Sequence, residues 1–197
     1  GRSAWAAEPA ASDLNQMLPD PKDLERYLTA VRNMLTELSE KLATKSNLSD
    51  EHKPLYRQIV FTAAWQESCW RQWIKKGTPV ASTTGDVGLM QVNRNTWRSL
   101  YDLKGLNGDI QYNGNAGGEI LLYYLTKYAI RKNEDKQAGG NLARATYSAY
   151  NGGPGALGRY RGVRQSPTWK KVDEAFWEKF KAVSAGNEMA VKSCYVK

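Results

Sequence analysis

Glu67 is the residue of this sequence best suited to acid–base chemistry. It follows an apolar stretch and has Trp65, Cys69 and Trp70 around it. Burial among such side chains disfavours the charged form of a carboxyl group and raises its pKa. A glutamate in this setting stays protonated near neutral pH and can donate a proton to a leaving oxygen. Because a glutamate near a helix end is more often solvated, the assignment depends on partners elsewhere in the chain.

Other common catalytic arrangements are missing from the sequence. His52 is the only histidine, which excludes a multi-histidine metal site. Cys69 and Cys194 lie too far apart in sequence for the usual zinc-ligand spacings. The glycine-rich stretch at 152–155 lacks the Lys-Ser/Thr ending of a phosphate-binding loop. We therefore expect no metal and no cofactor.

Three blocks follow Glu67 along the chain: GLMQ at 88–91, Asn113 with Gly117, and AYNGGPG at 149–155. Each block is weak alone, but the ordered set with plausible spacing is specific. Together with Glu67 it resembles the catalytic domain of the soluble, Slt-type (family 1) lytic transglycosylases, which are related to goose-type lysozyme.

This resemblance covers roughly residues 54–165. It implies an all-α, mainly helical fold of the lysozyme-like α+β type, with at most a short hairpin and an extended sugar cleft. It also implies cleavage of the β-1,4 bond between N-acetylmuramic acid and N-acetylglucosamine in peptidoglycan glycan strands, leaving a 1,6-anhydro end. Asn113 and Gly117 match a structural block whose glycine permits close helix packing.

The resemblance also assigns roles to individual site residues. Glu67 matches the catalytic acid/base, and Ser68 matches a hydrogen-bonding partner close to it. Gln91, Tyr150 and Asn151 match cleft residues that orient the muramic sugar or the acid.

The number of carboxylates separates this activity from hydrolysis. Ordinary glycosidases need two carboxylates at the bond, whereas a transglycosylase needs one, because the attacking hydroxyl belongs to the bound sugar. Goose-type lysozymes have an Asp after GLMQV and another before GLMQ. Here Asn93 stands at the position after GLMQV. The stretch before GLMQ contains a single acid, Asp86, which does not align with the second Asp of those lysozymes. A muramidase and a catalytically silent wall-binding scaffold remain the alternatives.

The elements that must position these residues are mostly helical. Residues 1–21, rich in Ala, Pro and Asp, are predicted to be flexible. Residues 22–46 carry apolar side chains at three- and four-residue steps, which predicts a helix packed on the domain. The catalytic domain is expected over 47–197, where Pro54 suits the first turn of the helix that carries Glu67.

The rest of the domain is predicted to alternate between helices and loops. Residues 77–88 are typical of an irregular loop with a short hairpin. Helical patterning follows at 89–101, 116–132, 141–150 and 168–183. Six aromatic residues lie near the motif blocks: Trp70, Trp73, Trp97, Tyr101, Tyr150 and Tyr160. Most are expected in the core, with Tyr150 in the cleft and at most one or two of the others beside it.

Charge and hydropathy limit the partners. The 28 Lys and Arg against 20 Asp and Glu give a net charge of +8, which attracts anionic partners such as the cell wall. The basic residues are spread along the chain without a nucleic-acid-binding motif, and no apolar run is long enough to span a membrane. We expect a monomer with neither a nucleic-acid partner nor a membrane span.

The cysteines and the start of the chain bear on location. Cys69 and Cys194 could close a long loop as a disulfide or remain buried thiols, and an exported location favours the bond. Ala4-Trp5-Ala6 has the small-x-small form of a signal-peptide cleavage site. We therefore expect a disulfide-bonded periplasmic protein whose signal peptide is removed, with outer-membrane association left open.

Overall fold

The computed structural model describes residues 14–162 and 165–196, and most of them are helical. The α-helices are α1 (Leu24–Lys45), α2 (Lys53–Ser68), α3 (Leu103–Gly108), α4 (Ile110–Tyr124), α5 (Leu142–Gly152) and α6 (Pro167–Ser184). A π-helix at Leu125–Ile130 continues α4, and a 3-10 helix covers Glu188–Cys194. This architecture confirms the prediction of a mainly helical fold. Of the helices described, none has the length and apolar character needed to cross a membrane.

The β-structure consists of two short antiparallel pairs between α2 and α3. Strand β1 (Trp73–Lys75) pairs with β2 (Thr78–Pro79), and β3 (Asp86–Val87) pairs with β4 (Val92–Asn93). In the second pair Asp86 lies opposite Asn93. The GLMQ turn connects β3 to β4, so this small hairpin presents Asp86, Gln91 and Asn93 together.

Helix α2 lies at the centre of the molecule and determines where Glu67 points. It contacts α1, α4, α5 and α6, and its side chains are buried around most of its circumference, among them Tyr56, Ile59, Phe61 and Ala64. Such all-round burial identifies a core helix rather than a surface one. Helix α1 uses its apolar stripe against α2 and α4, so it belongs to the same hydrophobic core.

Side-chain caps define where the other long helices begin. The Asp109 carboxylate accepts hydrogen bonds from the Gln111 and Tyr112 N–H groups in the first turn of α4. Asn141 accepts from the Arg144 N–H at the start of α5, and Ser166 accepts from the Trp169 N–H at the start of α6. These caps satisfy donors that have no partner inside the helix.

The prediction of a helix over 89–101 is wrong, because these residues form turns and strand β4. The Leu89 N–H donates to Gln72 Oε1 over 2.9 Å and the Met90 N–H donates to Asn113 Oδ1 over 2.8 Å. Gln91 then takes a left-handed backbone conformation with φ of 47°. The left-handed Gln91 and the pairing of β4 with β3 are incompatible with a continuous helix, so a hairpin replaces the helical pattern here.

The start of the chain also differs from the prediction of a flexible segment at 1–21. Residues 1–13, including Ala4-Trp5-Ala6, lie outside the described residues. Leu14, however, is only 2% exposed and belongs to the core. Asn15 Oδ1 accepts a hydrogen bond of 2.8 Å from the Ile110 N–H. The segment is docked here because it satisfies a free donor at the start of α4.

Gly117 allows α4 to contact the GLMQ turn, and we expect Gly117→Ala to destabilise the protein by about 1–3 kcal/mol through overpacking. A Cβ atom at this position would lie 2.4 Å from Met90 Cβ. Gly114→Ala on the same helix is the matched control, because its Cβ would meet only the ends of flexible side chains, the nearest being Leu38 Cδ2 at 3.0 Å. Urea unfolding of both variants checks this, and equal stabilities would contradict it.

Candidate active site

An open cleft of 490 Å³ brings together four of the five residues assigned to the site from the sequence. Its lining includes Glu67 from α2, Gln91 from the turn, and Tyr150 and Asn151 from α5. Ser68 is the exception. It is buried beneath the turn, where its hydroxyl donates to Leu89 O over 2.6 Å.

The role predicted for Ser68 as a hydrogen-bonding partner of Glu67 is therefore wrong. Besides donating to Leu89 O, its hydroxyl accepts a hydrogen bond of 3.0 Å from the Arg71 N–H. Residues i and i+1 do not share a helix face, so Ser68 points into the core while Glu67 points into the cleft. Ser68 thus holds the GLMQ turn in position.

The Glu67 carboxyl has the properties of a general acid. Burial raises its pKa to about 7, a hydrogen bond from Tyr147 opposes the rise, and the negative charge of Asp86 adds to it. The Tyr147 hydroxyl donates to Glu67 Oε1 over 2.7 Å. Burial and the neighbouring Glu67 raise the pKa of Tyr147, so it remains a neutral donor. Glu67 can therefore be protonated or ionised near neutral pH, as an acid that later acts as a base must be.

Tyr147 was not predicted from the sequence. Its ring stacks on Phe176 of α6 with 4.1 Å between ring centroids and an interplanar angle of 3°, which fixes the direction of the hydroxyl. One signal was present: Tyr147 lies three residues before Tyr150, and such residues share one face of a helix. That face of α5 is the one turned towards α2 and the cleft.

Removing the Tyr147 hydroxyl should change how activity depends on pH. In Tyr147→Phe the Glu67 carboxylate loses a donor that stabilises its ionised form, so its pKa rises further and the alkaline limb of kcat/KM moves to higher pH. Looser positioning of the acid should also lower activity at neutral pH by up to about 100-fold. The pH–rate profile of the purified variant measures both effects.

Tyr101→Phe is the control for this prediction. Its hydroxyl also donates to a glutamate, Glu119, over 2.9 Å, but neither residue lines the cleft. An alkaline limb that moves equally in both variants, or in neither, would contradict a specific role of Tyr147.

Gln91 and Tyr150 line the cleft and also hold its edge. Gln91 Nε2 donates to Gly88 O over 2.9 Å and to Val80 O over 3.2 Å. The Tyr150 hydroxyl donates to Met90 O, so α5 is tied directly to the turn. Asn151 is exposed at the rim, where its Oδ1 accepts from Arg159 Nη1 over 3.2 Å. Their role in orienting the substrate stays a prediction.

Asp86 also lines the cleft, although in sequence it does not align with the Asp that precedes GLMQ in goose-type lysozymes. Its Oδ2 accepts hydrogen bonds of 2.6 Å from both Ser82 and Thr84, and its Oδ1 accepts one of 2.9 Å from Asn93. Burial acts to raise its pKa, but these hydrogen bonds outweigh burial and hold the pKa below its usual value. Asp86 is therefore ionised and weakly basic.

Aromatic side chains form other parts of the cleft wall. Trp97, Tyr124 and Trp169 line it along with Tyr150. Of the other aromatic residues near the motif blocks, Trp97 is the one that joins Tyr150, within the one or two that were expected. Trp70 and Trp73 are buried, as expected of core residues. Trp169, 42% exposed, lay outside the motif blocks and was not predicted.

A disulfide between Cys69 and Cys194 ties the C-terminal segment to the residue two positions after Glu67. Cys69 ends α2 in a left-handed conformation with φ of 55°, and Trp70 follows with φ of 61°. Non-glycine residues rarely adopt this conformation. The Tyr195 hydroxyl also donates to Cys69 O, so the tail secures this turn both covalently and by a hydrogen bond.

The cleft offers carboxyl, hydroxyl, amide and aromatic groups. Within 14–162 and 165–196, no cluster of three or more His, Cys, Asp or Glu side chains could hold a metal ion. His52 lies at the opposite end of α2 from Glu67, where its Nδ1 shares a hydrogen bond of 2.7 Å with Ser49. Independence from metals and cofactors stays a prediction.

Comparison with known families agrees with this geometry. The family model described as "Transglycosylase SLT domain" matches residues 47–172, which contain Glu67, the GLMQ turn and α5. No curated protein and no solved structure gave a significant match. The match spans most of the chain and includes the cleft residues described above. The chain therefore belongs to the transglycosylase SLT domain family, with the lysozyme-like fold and the peptidoglycan-degrading function of that family.

Proposed function

We propose that this protein is a lytic transglycosylase that cleaves the β-1,4 bond between N-acetylmuramic acid and N-acetylglucosamine and leaves 1,6-anhydromuramic ends. The observation that carries the proposal is the contrast between the two cleft carboxyl groups. Glu67 has its pKa raised to about 7, whereas hydrogen bonds keep Asp86 ionised. One group can exchange a proton near neutral pH and the other cannot, which suits a reaction with a single acid/base.

The reaction uses Glu67 twice. Its protonated carboxyl donates to the glycosidic oxygen as the bond to C1 of the muramic sugar breaks, and the N-acetyl group of that sugar stabilises the cationic centre. The Glu67 carboxylate then accepts the proton of the 6-hydroxyl as that oxygen bonds to C1, which restores the acid. Because the nucleophile belongs to the bound sugar, ring closure gains from proximity and needs no positioned water.

In this mechanism Asp86 contributes charge rather than proton transfer. A fixed carboxylate in the cleft stabilises positive charge at the sugar ring. The same charge raises the pKa of Glu67 and so helps to keep the acid protonated before the bond breaks.

Hydrolysis by a muramidase is the second candidate, and the presence of Asp86 in the cleft favours it. Two carboxylates beside one glycosidic bond are the usual equipment of a hydrolase. To act as a base towards water, however, Asp86 would have to give up hydrogen bonds from Ser82, Thr84 and Asn93.

Mass spectrometry of the muropeptides released from purified peptidoglycan tests the proposal. Products lighter by one water than reducing-end muropeptides support a transglycosylase, and hydrated products support a muramidase. Asp86→Asn sharpens the test. Under the proposal it still gives anhydro products at a reduced rate, whereas a muramidase that uses Asp86 as its base loses turnover altogether.

We further propose that the protein works as a periplasmic monomer on the cell wall. The net charge of +8 suits a wall whose peptides carry carboxylates, and the Cys69–Cys194 disulfide suits an oxidising compartment. Fractionation of the producing cells with thiol labelling tests the location, since a cytoplasmic protein with two free thiols would contradict it. Size-exclusion chromatography tests the monomer.

A further inference from the structure

We propose that a pocket around Arg144 binds a carboxylate of the peptide stem carried by the glycan strand. This Arg144 pocket is an open depression of 450 Å³ beside the catalytic cleft, and its lining includes Arg144, Arg161, Gln165, Lys170 and Glu174. The inference rests on the proposed function, because the stem peptide is a part of that substrate.

Arg144 is the cation of this pocket that has no carboxylate partner in the described part of the chain, so its charge is available to a ligand. Its guanidinium carbon lies 5.0 Å from the centroid of the Tyr160 ring and 5.4 Å from that of Trp177. Among the described residues no carboxylate pairs with it, and its buried Nε has no hydrogen-bond partner. Buried donors are almost always satisfied, and the two rings attract this guanidinium without neutralising its charge.

The neighbouring arginines show the opposite arrangement. Arg159 makes a double hydrogen bond to Asp173, with distances of 3.0 and 2.6 Å. Arg161 makes one to Glu134, with distances of 3.2 and 3.0 Å. These two guanidinium groups have their carboxylates within the protein, whereas Arg144 does not. An arginine presents a fork of donors that matches a carboxylate, so an external carboxylate is the expected ligand.

The other charges of the pocket leave it positive. Glu174 is the carboxylate in its lining, and it lies 3.8 Å from Lys170 in an exposed pair. Such a pair contributes little and rearranges easily. A ligand carboxylate can therefore bind Arg144 and draw on Lys170 as a second cation.

A surface path connects the Arg144 pocket to the cleft. A depression of 520 Å³ lies between them, sharing Gly152 and Trp169 with the cleft and Gly162 and Gln165 with the Arg144 pocket. A strand whose sugar ring occupies the cleft can lay a side branch along this path. In peptidoglycan, that branch is the stem peptide on the muramic sugar, and it ends in carboxylates.

The test compares two substrates that differ only in the stem peptide: uncrosslinked glycan strands, and the same strands stripped by an amidase. We expect Arg144→Gln to lower kcat/KM on peptide-bearing strands by roughly tenfold, mainly through KM, because a charge-assisted hydrogen bond to the substrate is lost. Activity on stripped strands should be unchanged. Arg144→Lys should recover part of the loss, since it keeps the charge but not the fork.

A second variant and a direct binding measurement protect the test against misfolding and against failure of the proposed function. Lys170→Gln alters an exposed side chain. It should lower kcat/KM several-fold on peptide-bearing strands but not on stripped strands. Isothermal titration calorimetry measures binding of the free stem tripeptide without any turnover. The wild type should bind the tripeptide, and Arg144→Gln should bind it more weakly. Equal losses on both kinds of strand, or no peptide binding by the wild type, would overturn the Arg144 assignment. Absence of turnover or of anhydro ends with wild-type protein would instead count against the proposed reaction.

Discussion

Replacing Glu67 with Gln is expected to lower the turnover of peptidoglycan by about 10²- to 10⁴-fold, the usual contribution of a positioned acid/base. Gln has nearly the same shape and its Oε1 can still accept the hydrogen bond from Tyr147, so the cleft should keep its geometry. The variant cannot supply a proton to the glycosidic oxygen. Release of soluble muropeptides from purified peptidoglycan measures the loss, while co-sedimentation with intact peptidoglycan should show that binding is retained.

Glu119→Gln is the matched control for this change. Like Glu67, Glu119 accepts a hydrogen bond from a tyrosine hydroxyl, but it does not line the cleft. Its replacement should leave turnover within a small factor of the wild-type rate. Undiminished turnover in Glu67→Gln would remove Glu67 from the mechanism.

Although Glu67→Gln lowers turnover, it is expected to stabilise the fold at alkaline pH. The pKa of Glu67 is raised in the folded protein from 4.5 to about 7, so the folded state holds this proton more tightly than the unfolded state. Its contribution to stability is present below the unfolded pKa and is lost as pH rises through about 7. Glu67→Gln escapes that loss, which is on the order of 3 kcal/mol. Thermal melts at pH 5 and pH 8 measure this effect. The melting temperature of Glu67→Gln, relative to that of the wild type, should be higher at pH 8 than at pH 5.

Removing the disulfide is expected to cost about 2–5 kcal/mol of stability, because the bond joins residues 125 positions apart and restricts the unfolded chain. Cys194→Ser leaves Cys69 in place at the end of α2 and tests this directly. We also expect lower activity, since the left-handed turn after Glu67 loses its covalent anchor. Urea unfolding and muropeptide release measure the two effects.

Reductant provides the control for Cys194→Ser. Wild-type protein treated with reductant should unfold at the same urea concentration as the variant, and the variant itself should not respond to reductant. A variant as stable as the oxidised wild type would contradict a stabilising role for the bond.

Sequence motifs were sufficient to place Glu67 and three other residues in the cleft. The ordered blocks identified Glu67, Gln91, Tyr150 and Asn151, and all four line the cleft. Apolar periodicity predicted α1 and α6, whose buried faces follow the predicted spacing. These predictions succeed because they depend on residues that are close together in the chain.

The predictions that failed depend on contacts between distant parts of the chain. The apolar residues of 89–101 imitate a helix face, but Gln72 and Asn113 hold the backbone of Leu89 and Met90 in a turn. The left-handed Gln91 and the pairing of β4 with β3 then exclude a helix. Ser68 follows Glu67 in sequence, yet the side-chain direction on α2 turns its hydroxyl to Leu89 O. No local pattern indicates which way such a side chain points or which backbone it meets.

Tyr147 and Trp169 were missed for a related reason. Tyr147 acts through its hydroxyl, which meets Glu67 only because α5 packs across α2. Trp169 sits in the first turn of α6, and its place beside the cleft follows from the packing of α6 against α5. Aromatic residues in helices are usually core residues, so type and spacing alone could not separate these two from the others.

The disulfide also sets an order of events during biosynthesis. The cleft residues described above lie between Glu67 and Trp169, whereas Cys194 comes well after them. A nascent chain therefore exposes its full set of cleft residues before the anchor for the turn at Cys69 exists. A backbone cut between α6 and Cys194 would uncouple the turn at Cys69 from α6 while leaving every cleft residue described above in place.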